Sequence, residues 1–150
     1  MDVSSGIDLL PDGPVRRLVA ATSRRDVTEM VSQFAPDYEN VTPAHPRRGF
    51  RGAAQVGKNW SALFGGLRDL ELTVHDATTG PDSRVWMEWS TAGTRADGSI
   101  SAATGVVIFT VRGDSIASAR FYVEPIEQHS GDVDDAIRVA VRGVDPGEAP

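Results

Sequence analysis

Hydrophobic spacing changes period part-way along this 150-residue chain, and that change limits the fold more than any other feature. Up to about residue 67, apolar side chains recur at helical intervals. Val15, Leu18, Val19 and Thr22 fall at i, i+3, i+4 and i+7, one stripe of a helix. Gly13-Pro14 suits its start, since proline is tolerated in a first turn. Arg24-Arg25 suits its end, where the helix dipole favours positive charge. Asp26 with Glu29 three residues on has the spacing of a capping box. It opens a second helix with the stripe Val27, Met30, Val31 and Phe34, which Pro36 stops. A third helix starts near Gly52-Ala53 and carries Val56, Trp60, Leu63, Phe64 and Leu67 on one face.

Beyond it the period becomes two. Leu70, Leu72 and Val74 alternate with Glu71, Thr73 and His75, the pattern of a half-buried strand. Val85 to Thr94, Ala102 to Val111 and Ile116 to Glu124 read as three more strands. Thr79-Gly80-Pro81-Asp82, Asp97-Gly98 and Gly113-Asp114 are the turns between them. Pro125 ends the last strand, because proline has no donor for the ladder. Asp37 to Thr42 is a short extended piece ahead of a proline-bounded loop, Pro43-Ala44-His45-Pro46. Helices first and hairpins after make an α+β domain over residues 14–128. Residues 1–13 read as a loose arm, and 129–150 as a tail with one short helix, Asp134 to Arg142.

Composition removes several functions. A net charge of −6 opposes a nucleic-acid surface, which needs a basic stripe. No apolar run approaches the roughly 18 residues of a spanning helix. With no cysteine, disulfides and thiolate chemistry are absent. The start, Met1-Asp2-Val3-Ser4-Ser5, lacks the pattern of a signal peptide, so the cytoplasm is the default expectation. His45, His75 and His129 have no metal-ligand spacing. Neither a phosphate loop nor a metal cluster is present, and no cofactor is implied.

Four segments carry a resemblance: Phe34-Ala35-Pro36-Asp37, Gly49-Phe50-Arg51-Gly52 before the third helix, Val85-Trp86-Met87-Glu88-Trp89, and Ile116 through Glu124. In their order and spacing the chain resembles the nuclear transport factor 2-like superfamily, in particular its SnoaL-like and limonene-epoxide-hydrolase-like branches. The resemblance implies a cone: three helices against a strongly curved mixed sheet, with a pocket between them, commonly in a homodimer. The charged Asp-Arg-Asp set of such an epoxide hydrolase falls here at Trp89, Thr91 and Phe121. Its Tyr and Asn water-holders fall at Asn40 and Thr42. The base and the tyrosine of a ketosteroid isomerase fall at Thr42 and Leu18. The acid of SnoaL-like cyclases, near the end of the last strand, is met by Glu124. Their histidine on the preceding strand falls at Phe109 or Thr110.

These positions define the expected site. Glu124 and Tyr122, two apart, are the catalytic candidates, as a proton-transfer pair at the pocket mouth. The competing reading of Glu124 is a carboxylate satisfied by Arg120 or by backbone donors at a strand end. Asn40, Thr42, Trp89, Thr91, Phe109 and Phe121 are the expected ligand contacts. Glu88, between Met87 and Trp89, is assigned to the other sheet face, with Trp86 and a partner such as Arg120. That face is the expected dimer contact. Arg47, Arg48 and Arg51 form a basic loop. The sequence therefore implies a pocket for an apolar small molecule. It leaves open a cofactor-independent cyclase, isomerase or epoxide-opening enzyme, a non-catalytic binder, and a dimerisation module.

Overall fold

A computed structural model of the chain describes residues 6–127 and 131–143. Three helices come early: α1 (Pro14–Ser23), α2 (Val27–Ser32) and α3 (Ala53–Gly66). The strands are β1 (Phe34–Val41), β2 (Phe50–Arg51), β3 (Arg68–Gly80), β4 (Arg84–Thr94), β5 (Ile100–Arg112) and β6 (Ser115–Pro125). A last helix, α4 (Val133–Arg142), lies in the tail. The strands form one mixed sheet in the order β2-β1-β6-β5-β4-β3. β3 to β6 are successive antiparallel hairpins, and β1 joins β6 in parallel. The curved sheet packs against α1, α2 and α3, the α+β cone that the sequence predicts.

The α1 stripe is buried as its spacing requires, with Val15, Leu18, Val19 and Thr22 all below a tenth exposed. Asp26 caps α2, accepting from the Glu29 N–H at 3.1 Å. The second helix is shorter than its apolar stripe suggests. Gln33 ends it, and the Gln33 carbonyl accepts from Ile116 N–H at 2.8 Å. That bond draws Phe34 into parallel pairing with Ile116, so Phe34 starts β1 and does not close α2. Pro36 falls where the β1–β6 register shifts, between Phe34 and Glu39. Its missing N–H therefore costs the ladder little.

The leading segment also differs from its reading as a loose arm. From Gly6 onward it is tied down: Ile7–Leu9 form a 3₁₀ turn and Leu10 is 2% exposed. Arg16 donates to Asp8 at 2.7 Å and to the Leu10 carbonyl at 3.2 Å. In the tail, α4 is closed by a capping box between Asp132 and Asp135, and its apolar residues Val133 and Val141 are exposed. His129 lies outside the described residues.

Alternation sorts the sheet into two faces. Along β4, Val85, Met87 and Trp89 are buried while Trp86 and Glu88 are exposed. Cross-strand pairing carries this over to β5 and β6. Trp89 pairs with Gly105 and Gly105 with Val123, while Glu88 pairs with Val106 and Val106 with Tyr122. Phe109, Phe121 and Val123 thus share the inner face with Trp89; Tyr122 and Glu124 share the outer face with Glu88. Gly105 marks a close approach of β5 to β6. It has φ +156, and a Cβ there would collide with the Tyr122 carbonyl oxygen. Only glycine lets β5 pass so close.

Among the described residues, no helix is long and apolar enough to cross a membrane. In α3 only Val56 is buried; Trp60 and Phe64 are half-buried and Leu63 is 40% exposed. Val56, Trp60 and Leu63 face the sheet across a space, whereas Phe64 packs on Trp60 with the Arg25 guanidinium over its ring.

Candidate active-site cavity

That space is a cavity of about 400 Å³ enclosed by the helices and the inner sheet face. Small-molecule sites commonly span roughly 300–1,000 Å³. Leu18 and Val19 come from α1, Val56, Trp60 and Leu63 from α3, and the remaining wall from the sheet. Of the α3 residues only Val56 is fully in the core, while Ala53, Trp60 and Phe64 pack partly buried against it.

All six expected contact positions, Asn40, Thr42, Trp89, Thr91, Phe109 and Phe121, line this one cavity. They arrive there by strand alternation from β1, β4, β5 and β6. Leu18, at the position of the isomerase tyrosine, lines it as well. The two catalytic candidates do not. Tyr122 and Glu124 are on the opposite face, because neighbouring strand residues point opposite ways and Phe121 and Val123 point inward. Glu124 Oε1 instead sits 2.7 Å from His45 Nε2, and the Tyr122 hydroxyl accepts from Arg120 at 3.1 Å. Neither reading of Glu124 made from the sequence is therefore met: it does not line the cavity, and among the described residues its side chain pairs with neither Arg120 nor a backbone donor. Arg120 is also not the partner of Glu88, for which no ion pair occurs among the described residues.

The cavity has a polar corner that the sequence reading passed over. Tyr38 lines it beside Asn40 and is 1% exposed. Its hydroxyl donates to Asn40 Oδ1 at 2.7 Å. Burial pushes the Tyr38 phenol well above the ordinary tyrosine range, so the group stays a donor at neutral pH. With Oδ1 occupied, Asn40 turns its amide nitrogen to other partners, and among the described residues it has none. The signal for Tyr38 was present: Tyr38, Asn40 and Thr42 are spaced by two, so they share one face of β1. Phe34 and Phe50 fix the phenol ring, with ring centroids 4.7 Å and 6.0 Å away.

Across the cavity, Trp89 is 7% exposed and its Nε1 is buried with no hydrogen-bond partner. Such an orphaned donor costs roughly 1–3 kcal/mol. Other polar groups of the wall are Thr22, Arg48, Asn59, Thr91 and Ser101. Thr22 is already satisfied by the Leu18 carbonyl at 2.8 Å. Among the described residues, Arg48 is the only charged residue of the lining, and no carboxylate or imidazole belongs to it. From these residues the site offers donors and aromatic surface but no carboxylate or imidazole base. Among the described residues, no cluster of three His, Cys, Asp or Glu could hold a metal ion.

Residues 15–119 match the family model described as a SnoaL-like domain. An uncharacterized protein of Mycobacterium tuberculosis is 31% identical over 123 residues, covering 77% of this chain and 91% of the relative. Among solved structures, one is a protein with a ketosteroid isomerase-like fold from Catenulispora acidiphila, in complex with trimethylamine. It superposes with a TM-score of 0.64 at 19% identity, covering 75% of this chain and 87% of that one. Another is a candidate polyketide cyclase from Xanthomonas campestris, with a TM-score of 0.57 at 20% identity, covering 72% and 87%. At these identities the likeness is one of fold.

Proposed function

Because this chain belongs to the SnoaL-like domain family, within the nuclear transport factor 2-like superfamily, we propose that its cavity binds an apolar small molecule carrying a hydrogen-bond acceptor. The observation that supports this most is the lining itself. It is mostly aliphatic and aromatic, its polar groups near Asn40 are donors, and among the described residues no carboxylate lines it. A ligand oxygen accepts from the Asn40 amide, which the Tyr38 hydroxyl holds in orientation. Apolar surface supplies most of the affinity, and the donors supply selectivity.

Ala103 lines the cavity from β5, which makes it the place to test this. Calorimetric titration with para-diacetylbenzene should show saturable binding with a negative heat-capacity change, the mark of apolar burial. Ala103→Phe should fill the space and abolish the binding. Equal binding by the filled variant contradicts the reading.

Cyclase or isomerase chemistry is the second reading, and the Tyr38–Asn40 pair favours it. A donor aimed at a carbonyl oxygen stabilises the charge that grows on that oxygen as an α-proton leaves to water. Bound para-diacetylbenzene should then exchange its methyl hydrogens with deuterated water faster than free ketone does, and Asn40→Leu should remove the difference. No acceleration leaves the non-catalytic binder.

The same reading includes a homodimer through the outer sheet face. Trp86 and Tyr122 are exposed there at 40% and 43%, together with both Glu88 and Arg120. A patch that holds both charges can complement itself across a two-fold axis.

A further inference from the structure

Among the described residues that line the cavity, Arg48 alone carries a charge. A tight loop puts it there. The Thr42 carbonyl accepts from His45 N–H at 2.9 Å, and the His45 carbonyl accepts from Arg48 N–H at 2.9 Å. β2 then runs back antiparallel to β1, with Phe50 opposite Asn40. Arg48 therefore returns beside the end of β1, where Asn40 and Thr42 line the same cavity. Those two are buried and Arg48 is exposed, so the cation is at the rim and the neutral polar groups lie deeper.

Its neighbours in the loop are engaged by carboxylates of the chain itself. Glu124 meets His45 at 2.7 Å, and Glu39 meets Arg51 at 2.6 Å. Arg48 has no carboxylate partner among the described residues, in a chain whose net charge is −6. Arg47 is exposed and unpaired among the same residues, but it does not line the cavity and serves as the solvated charge of a basic loop. Arg48 differs by facing a mostly apolar wall, where a charge pair is less weakened by water than in the open. Its planar fork of donors matches the two oxygens of a carboxylate.

We propose that Arg48 is a specificity-determining residue, and that the ligand is an amphipathic monocarboxylate. The carboxylate meets the Arg48 guanidinium at the rim. The ring or alkyl body lies in the cavity against Trp60, Phe109 and Phe121. This rests on the binding role proposed above and narrows the ligand's acceptor group to an anion.

Two ligands of one shape test it by calorimetric titration at neutral pH. Para-ethylbenzoate and para-ethylacetophenone share a body and differ at one end, a carboxylate in place of an acetyl group. Arg48→Gln should weaken the benzoate about tenfold, the size of a lost hydrogen bond to a charged group, and the ketone less than twofold. Arg48→Lys, which keeps the charge, should recover most of the loss. Arg47→Gln should leave both ligands within twofold of wild type, and added salt should weaken the benzoate alone. Arg48 is exposed and its side chain has no hydrogen bond among the described residues, so these variants should fold as wild type does. Equal loss of both ligands in Arg48→Gln overturns the assignment, because it makes the side chain a piece of apolar wall. An equal effect of Arg47→Gln overturns it too, since the general charge of the loop would then suffice. Binding of the ketone without the benzoate overturns it and leaves the apolar cavity standing. Failure of both to bind removes the binding role and this assignment together.

Discussion

The Tyr38 hydroxyl donates to Asn40 Oδ1 at 2.7 Å within the cavity wall, on two residues of one strand face. The bond fixes which end of the asparagine amide is left for a ligand. It also ties the polar corner to the aromatic packing of Phe34 and Phe50, so site geometry and core stability share a residue.

Tyr38→Phe should cost about 1–2 kcal/mol of stability, because Asn40 Oδ1 loses its donor inside the wall. Chemical denaturation would measure this. A change below a few tenths of a kcal/mol would show that water replaces the hydroxyl freely.

Alkaline stability follows from the same residue. Burial raises the Tyr38 value in the folded state above that of the unfolded chain. The unfolded chain therefore gives up this proton first. Stability from this group is intact below about pH 10, the unfolded tyrosine value, and is lost as pH rises above it toward the folded value. The slope is about 1.4 kcal/mol per pH unit. In a Tyr122→Phe background, which leaves Tyr38 as the only tyrosine, adding Tyr38→Phe should flatten that slope. An unchanged slope would assign alkaline loss to other groups.

Glu124→Gln should leave ligand binding and any turnover within about threefold of wild type, far from the roughly hundredfold or greater loss expected of a general acid–base. The carboxylate is outside the cavity and paired with His45. An exposed pair of this kind contributes about 0–1 kcal/mol. A hundredfold loss of activity would return Glu124 to the chemistry.

Gly105→Ala should destabilise by about 2 kcal/mol or more, since β5 lies there at a positive φ against the Tyr122 carbonyl, with no room for a Cβ. Thermal unfolding monitors it. A neutral result would mean that β5 and β6 can part there at no cost.

Much of this was legible in the sequence. The switch from helical to alternating spacing located α1, α3 and the four long strands, and the alternation of β4 put Trp89 inward and Glu88 outward. The same rule, applied along β6, excludes Tyr122 and Glu124 from the wall once Phe121 is inside; the family position of Glu124 outweighed it. Tyr38 needed the reverse step, extending the two-residue spacing of Asn40 and Thr42 backward. The start of β1 at Phe34 was not legible locally. It depends on a hydrogen bond to Ile116, some eighty residues away. Likewise, no local pattern reveals that Leu10 is covered by the core.

The most direct test of the cavity uses the three indole N–H signals of Trp60, Trp86 and Trp89 in one titration with para-diacetylbenzene. Trp60 and Trp89 line the cavity, and Trp86 is on the outer face. Saturable shifts of Trp60 and Trp89 with Trp86 unmoved are the predicted result. A response confined to Trp86, or no saturable response at all, would contradict the account.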